Sequence, residues 1–368
     1  MINNSQSDIR NKGELFPGKI AVITDDASIS GDDFYAADRL IAKYGSDKIV
    51  HVTWPENFID GQDKMIDTVV ALAADREIKA LIITQAVPGT NAALDKLREI
   101  RDDVFIIYCT TQESSADAVK RANLLLNPNH LGMGRALVKH AKKQGAKVFV
   151  HYSFPRHMAQ PQLSNRRNLI RQECLKNGIL FTDVTVPDPT VEGGIAGSRE
   201  FISANVPELV KRYGEKIAFF STNCQFQTTL LKAVVDCHAI YPQPCCPSPY
   251  LGFPEALGID TGSNRNDYKY MVSEIRRVAR EKKMSGRLST WPVSASMMFS
   301  NAAAEYAIKW INCEVSRDGI DNQVLLDCIN AYVIEVTGEP GIVYLTSLSE
   351  KGVIYENFKL VLMSYLDF

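Results

Sequence analysis

The chain has 368 residues and a mass of 41.0 kDa, which at roughly 150 residues per domain predicts two domains. Forty-one Lys and Arg against forty-three Asp and Glu leave a net charge of −2, without the basic surplus of a protein built to grip nucleic acid. No apolar run approaches the roughly 18 residues of a membrane-spanning helix, so no membrane span is expected.

Residues 1–18 (MINNSQSDIRNKGELFPG) are polar and turn-rich, and they read as a flexible segment rather than a secretory signal. Eight cysteines are scattered at 109, 174, 224, 237, 245, 246, 313 and 328, without the tight framework of a disulfide scaffold. The expectation is a cytoplasmic protein. The alternative is an extracytoplasmic lipoprotein whose upstream signal has been removed.

From Lys19 onward, short apolar runs alternate with amphipathic segments. Lys19–Thr24 (KIAVIT) predicts a strand and Gly31–Tyr44 a helix, with Phe34, Ala37, Ile41 and Tyr44 at helical spacing and Ser30 or Asp33 as its cap. The pattern continues through strand Lys48–Thr53, helix Gln62–Ala74, strand Ala80–Thr84, helix Thr90–Arg101 and strand Val104–Tyr108. A fifth strand at Leu124–Leu126 precedes a helix from Leu131 to Gln144, and Gly145 stops it. Lys147–Tyr152 opens a second series: helix Asn165–Asn177, strand Ile179–Val184, helix Phe201–Tyr213 and strand Lys216–Ser221. Strands apolar on both faces and separated by helices require a parallel sheet covered on both sides.

Beyond Leu231 the pattern thins. Residues 241–262 are rich in Pro and Gly and predict a long ordered loop, followed by helix Tyr268–Lys283, strand Arg287–Trp291, helix Ser296–Ile311 and a last strand Phe358–Leu366.

Ligands of open parallel sheets bind beyond the carboxyl ends of the strands. Those ends carry Asp25 and Asp26, Trp54, Gln85, Cys109 and Thr110, Tyr152 and Ser153, and Thr222 and Asn223. Three stretches then resemble one known architecture: KIAVIT with its polar tail, LLLNPNHLGMGRALVKHAKKQGAKVFVHYSFP (124–155) and RYGEKIAFFSTN (212–223). They resemble the type 1 periplasmic-binding-protein-like superfamily. Within it the chain looks like an uncharacterised bacterial family, related to basic-membrane-protein-type substrate-binding proteins and to the ligand-sensing domains of sugar-repressor-type regulators. The resemblance implies two Rossmann-like α/β lobes, with mostly parallel sheets flanked by helices and hinged around an interlobe cleft. Lobe 1 is expected to hold 19–126 plus about 288–325, and lobe 2 127–287 plus part of about 326–368. Crossings are expected near Asn127–His130, near Gly286–Ser289 and within 312–345. Residues 1–18 leave no room for a helix-turn-helix, so a regulatory output would run through a partner.

Asp25 and Asp26 would accept ligand hydroxyls or an amine, or else serve as turn and cap residues. Gln85 and Thr110 offer neutral polar groups. Trp54, Phe154, Tyr250 and Trp291 could wall a ring, although aromatics beside strand ends more often pack. Arg156 could pair with a carboxylate or phosphate, or stay a solvated loop arginine. Cys109 and Cys224 follow strands in opposite series, and paired thiols across a cleft would serve a cofactor-independent racemase or isomerase. Small buried thiols are the blander reading. Cys237, His238, Cys245 and Cys246 do not have zinc-binding spacing, and the glycine-rich 192–198 lacks the Lys-Ser/Thr of a phosphate loop. The expectation is non-catalytic binding of a small polar ligand such as a sugar, nucleoside or amino acid, with no cofactor and no metal. A permease, a regulator or a second copy of the chain would be the protein partner.

Overall fold

The structure is a computed structural model that describes residues 15–28, 31–55, 60–190, 193–265 and 267–368. The segment before residue 15, the candidate cap Ser30 and Glu192 of the glycine-rich stretch lie outside the described residues.

The chain divides into two compact units. Unit 1 comprises residues 1–127, 296–332 and 345–361, and unit 2 comprises 128–295, 333–344 and 362–368. The chain therefore returns to unit 1 at Ser296 rather than near Leu288, and it changes units again at 332/333, 344/345 and 361/362.

Unit 1 is built on β1 (Lys19–Thr24), β2 (Ile49–Thr53), β3 (Ile78–Ile83), β4 (Phe105–Cys109) and β5 (Leu124–Pro128). Pairing is parallel from β2 through β1, β3 and β4 to β5. The register Thr24–Thr53, Ile23–Ile83, Ile83–Tyr108 and Cys109–Leu126 brings the carboxyl ends to one edge. Helices Gln62–Ala74 and Thr90–Ile100 cover one face through Met65, Val69, Ala93, Leu94 and Leu97. Across from them, helix Ala295–Ile311 stacks Trp310 on Phe105 of β4 at 4.8 Å between ring centres.

Unit 2 holds β6 (Val148–Ser153), β7 (Leu180–Thr185), β8 (Ile217–Ser221) and the short β9 (Ser289–Thr290). The order is β7–β6–β8, all parallel. Parallel bridges Ala218–Ile240 and Tyr241–Leu288 extend the sheet toward β9. Alternation along β6 and β8 divides the core. Val148, Val150, Tyr152 and Phe219 face helices Gly194–Tyr213, Gln227–Asp236 and Tyr268–Glu281, while Phe149 and Phe220 face His130–Lys143 and Pro161–Lys176.

The chain departs most from expectation after Ile311. Residues 322–337 form a helix, and a hairpin of β10 (Val343–Glu350) and β11 (Val353–Met363) joins the first sheet beside β5. Its two-residue turn, Lys351-Gly352, has both φ values positive (51° and 81°), as a twist-matched tight hairpin requires. The final long strand is thus β11, which starts five residues before Phe358, followed by a two-residue β12 (Leu366–Asp367) antiparallel to β9.

Candidate functional site: the carboxyl edges of the two sheets

In unit 1, β1 runs out into Asp25 and Asp26. Asp26 Oδ1 accepts the Ser28 N–H at 2.9 Å, and that hydrogen bond holds its carboxyl below the usual range. Asp25 behaves oppositely: burial first, then the neighbouring Asp26 charge, push its carboxyl up to about 7. Gln85 after β3 is nearly buried, and its Nε2 donates to Asp33 Oδ2 at 2.9 Å. Trp54 is a core residue at 2% exposure, and its Nε1 donates to the Gln85 carbonyl at 3.0 Å. Its ring packs with Ile23, Ile83 and Val87 instead of walling a cleft. Thr110 adopts φ +50°, a left-handed conformation that a β-branched residue rarely takes. Such outliers gather at functional sites. Next to it, the Thr111 N–H donates to the buried Asn127 Oδ1 at 3.0 Å and locks the tip of β4 to that of β5.

Cys109 lies in the core of unit 1 at 1% exposure, with its thiol pushed far up by burial. That is the wrong environment for a thiolate base, and it weighs against the two-thiol isomerase.

In unit 2 the tips of β6, β7 and β8 are tied together. Arg156 Nε meets Asp188 Oδ2 at 3.2 Å, its second guanidinium nitrogen meets Oδ1 at 3.3 Å, and the group lies over the Phe154 ring. This arginine is already paired. His157 Nδ1 and Thr222 Oγ1 are 3.0 Å apart, and burial, then Arg156, hold the imidazole down to about 3. His157 is therefore neutral at physiological pH. Asn223 Oδ1 accepts the Gln225 N–H at 2.8 Å and caps the turn that carries Cys224. Tyr152 is a core residue whose hydroxyl donates to Asn205 at 2.8 Å. Ser153 is nearly buried, Phe154 is buried, and Tyr250 is half-buried against the unit 2 core.

Two features of this edge were not expected. The first is a set of buried polar atoms with no hydrogen-bond partner among the described residues: Gln243 Oε1 and Nε2, Thr290 Oγ1 and Trp291 Nε1. The Tyr241–Leu288 bridge and the hydrogen bond from Ser289 Oγ to the Pro242 carbonyl, 2.7 Å, set residues 241–243 beside 289–291. Trp291 is fully buried, so its ring is a core element and its indole N–H is the group left over.

The second is a cluster of thiols. Cys224 Sγ lies 3.1 Å from Cys245 Sγ and 3.3 Å from Cys246 Sγ, with all three inside 4.8 Å of one another. Cys237, His238, Cys245 and Cys246 have no zinc-binding spacing in the sequence, and the structure brings Cys224 to Cys245 and Cys246 instead. The signal is topological: the Ala218–Ile240 bridge sets the loop after Ile240 beside the end of β8. Arg166, 1% exposed on the helix Pro161–Lys176, interacts electrostatically with Cys245 and Cys246. Its guanidinium reaches His130 Nδ1 at 2.9 Å and lies over Phe220. Gly134 allows this approach, because a β-carbon there would meet the Arg166 Cγ and carbonyl oxygen at 3.3 Å.

A separate groove of about 550 Å³ in unit 2 is lined by Tyr268, Arg276, Pro292, Thr337, Glu339 and Tyr365 among others. Its Pro292 follows Trp291 directly in the chain.

Residues 18–289 match the family model described as protein of unknown function (DUF3798). The chain belongs to that family. Among curated proteins it is 34% identical to an uncharacterized protein of Treponema pallidum (strain Nichols) over 176 residues, which is 46% of this chain and 80% of that one. Among solved structures it is similar to a protein from Clostridium difficile 630 described as a putative transcriptional regulator. That match has a TM-score of 0.77 and 23% identity, and covers 96% of this chain and 99% of the other. It is also similar to a carbohydrate transporter from Acidothermus cellulolyticus 11B in complex with myo-inositol. Here the TM-score is 0.52 and the identity 12%, with 87% of this chain and 99% of the other covered. The fold is the two-lobe periplasmic-binding-protein-like α/β fold, and no helix of the described residues is long and apolar enough to cross a membrane.

Proposed function

We propose that this member of the family is a non-catalytic binding protein that takes a small polar ligand, foremost a sugar or polyol, at the carboxyl ends of its strands. One observation carries the reading. Gln243, Thr290 and Trp291 hold buried polar atoms without protein partners among the described residues at the end of the unit 2 sheet. Buried donors and acceptors are nearly always paired, and a neutral set of this kind is suited to hydroxyl groups. The polar tips of unit 1, with Asp25 and Gln85, extend the same chemistry. The myo-inositol held by the Acidothermus protein supports the ligand class.

In unit 2 the proposed binding segments are residues 153–156 and 222–223 with Gln243, Thr290 and Trp291, and in unit 1 they are residues 25–26, 85 and 110. The output, transport or sensing, would pass through a permease or regulator. Eight free cysteines suit a reducing compartment, which favours the sensing role.

Thermal unfolding against a panel of sugars, polyols, nucleosides and amino acids tests the reading. At a hundred times its dissociation constant a ligand adds about 2.7 kcal/mol. At roughly 2–4 °C per kcal/mol, that is a shift of about 5–10 °C. The shift should vanish in Gln243→Leu. A flat response across the panel refutes the reading.

A further inference from the structure

We infer that Cys224, Cys245 and Cys246 form a three-thiolate site for a divalent thiophilic cation of the Zn²⁺ type, with Arg166 as its buried counter-charge. Thiol number and placement come first. Three sulfurs from two segments converge, two of them on the proline-rich Pro242–Pro249 loop and one on the capped turn after β8. Tetrahedral zinc with Zn–S near 2.3 Å sets its sulfurs about 3.8 Å apart. The observed 3.1 and 3.3 Å need an outward adjustment of about half an ångström, which side-chain rotation supplies.

Charge decides the valence. Three thiolates with a divalent ion leave one negative charge, and the Arg166 guanidinium cancels it. A monovalent ion would leave the buried site charged, which is unfavourable away from water. The surroundings of Arg166 hold it in this position. His130 fixes one end of its guanidinium, Phe220 lies beneath it, and its Nε has no partner among the described residues. Cys224 and Cys246 are only half-buried, which gives an ion a route in. Three protein ligands leave a fourth position for water or another small donor, the arrangement of an open zinc site.

The experiment uses the reduced, full-length protein without exogenous ligand, so its outcome is independent of the sugar or polyol reading. Co²⁺ is titrated as a spectroscopic probe and then displaced with Zn²⁺. The expected result is about one equivalent bound, with thiolate-to-cobalt charge-transfer and tetrahedral d–d bands that Zn²⁺ bleaches. Cys224→Ser, Cys245→Ser and Cys246→Ser should each remove the thiolate signature or weaken binding at least tenfold, while Cys237→Ser leaves both unchanged. Should a variant fail to fold, wild-type protein answers alone: Zn²⁺ should block alkylation of Cys224, Cys245 and Cys246 but not of Cys237 or Cys313. No uptake, uptake that survives loss of the three thiols, or a disulfide within the trio in place of metal binding would overturn the assignment.

Discussion

Replacing Asp25 with Asn should stabilise the protein, and by more as the pH rises. Burial and the adjacent Asp26 charge raise the folded-state carboxyl from 3.8 to about 7, whereas the unfolded chain keeps the ordinary value. Between those values the folded state binds more protons than the unfolded state, so the Asp25 contribution falls with rising pH and reaches its full penalty above about 7. Below about pH 3 both states are largely protonated and the effect is nearly absent. A shift of about three pH units at 1.36 kcal/mol each sets a ceiling near 4 kcal/mol. Asp25 is only half-buried by area, so solvent screening reduces the expected gain to about 1–2 kcal/mol. Urea unfolding of wild type and Asp25→Asn at pH 3, 5 and 8 measures it: curves that nearly coincide at pH 3 should separate progressively by pH 8. A pH-independent gap, or a variant less stable at pH 8, refutes the argument. A carboxylate tolerated in such a place is also a candidate ligand acceptor, so the same variant should weaken sugar or polyol binding while it stabilises the fold.

Two further substitutions test the geometry of the edges. Gly134→Val should destabilise by about 1–3 kcal/mol in urea unfolding, because its β-carbon already meets the Arg166 backbone and Cγ at 3.3 Å; unchanged stability would mean the two helices are not in close contact there. Thr110→Gly should stabilise by about 1 kcal/mol, the relief of a left-handed β-branched residue less the flexibility glycine adds to the unfolded chain. Loss of stability in that variant would show that φ +50° carries no strain.

The fold is legible where strands are apolar on both faces. β1 spans the predicted Lys19–Thr24, and the strands through β8 lie within a few residues of their expected positions, because alternation with amphipathic helices leaves little freedom in the parallel order. The stretch beyond Ile311 is not legible. β10 is exposed along much of its length, with alternating half-buried residues, and Lys-Gly at its turn is a weaker hairpin signal than Asn-Gly. The helix 322–337 follows a polar turn and is rich in Val, Ile and Thr, which blurs a helical reading.

The site is legible in part, and the division has a physical cause. Strand ends can be read from sequence, which is why Asp25, Gln85, Thr110, Thr222 and Asn223 stand out there. What happens beside a strand end depends on which neighbour the sheet provides. Trp54 and Trp291 follow strands as a stacking residue would, yet both are buried at their tips. Arg156 has the sequence context of a free loop arginine, but β7 ends next to β6 and delivers Asp188 to it. The thiols make the same point most sharply. Along the chain Cys237 lies closer to Cys245 and Cys246 than Cys224 does, and the spacing of those nearer residues forms no metal pattern. A parallel sheet instead sets successive carboxyl ends side by side, so the residue after β8 meets the loop after Ile240. Three cysteines separated by up to 22 residues thereby become neighbours, and a metal-ligand pattern invisible to spacing follows from strand order alone.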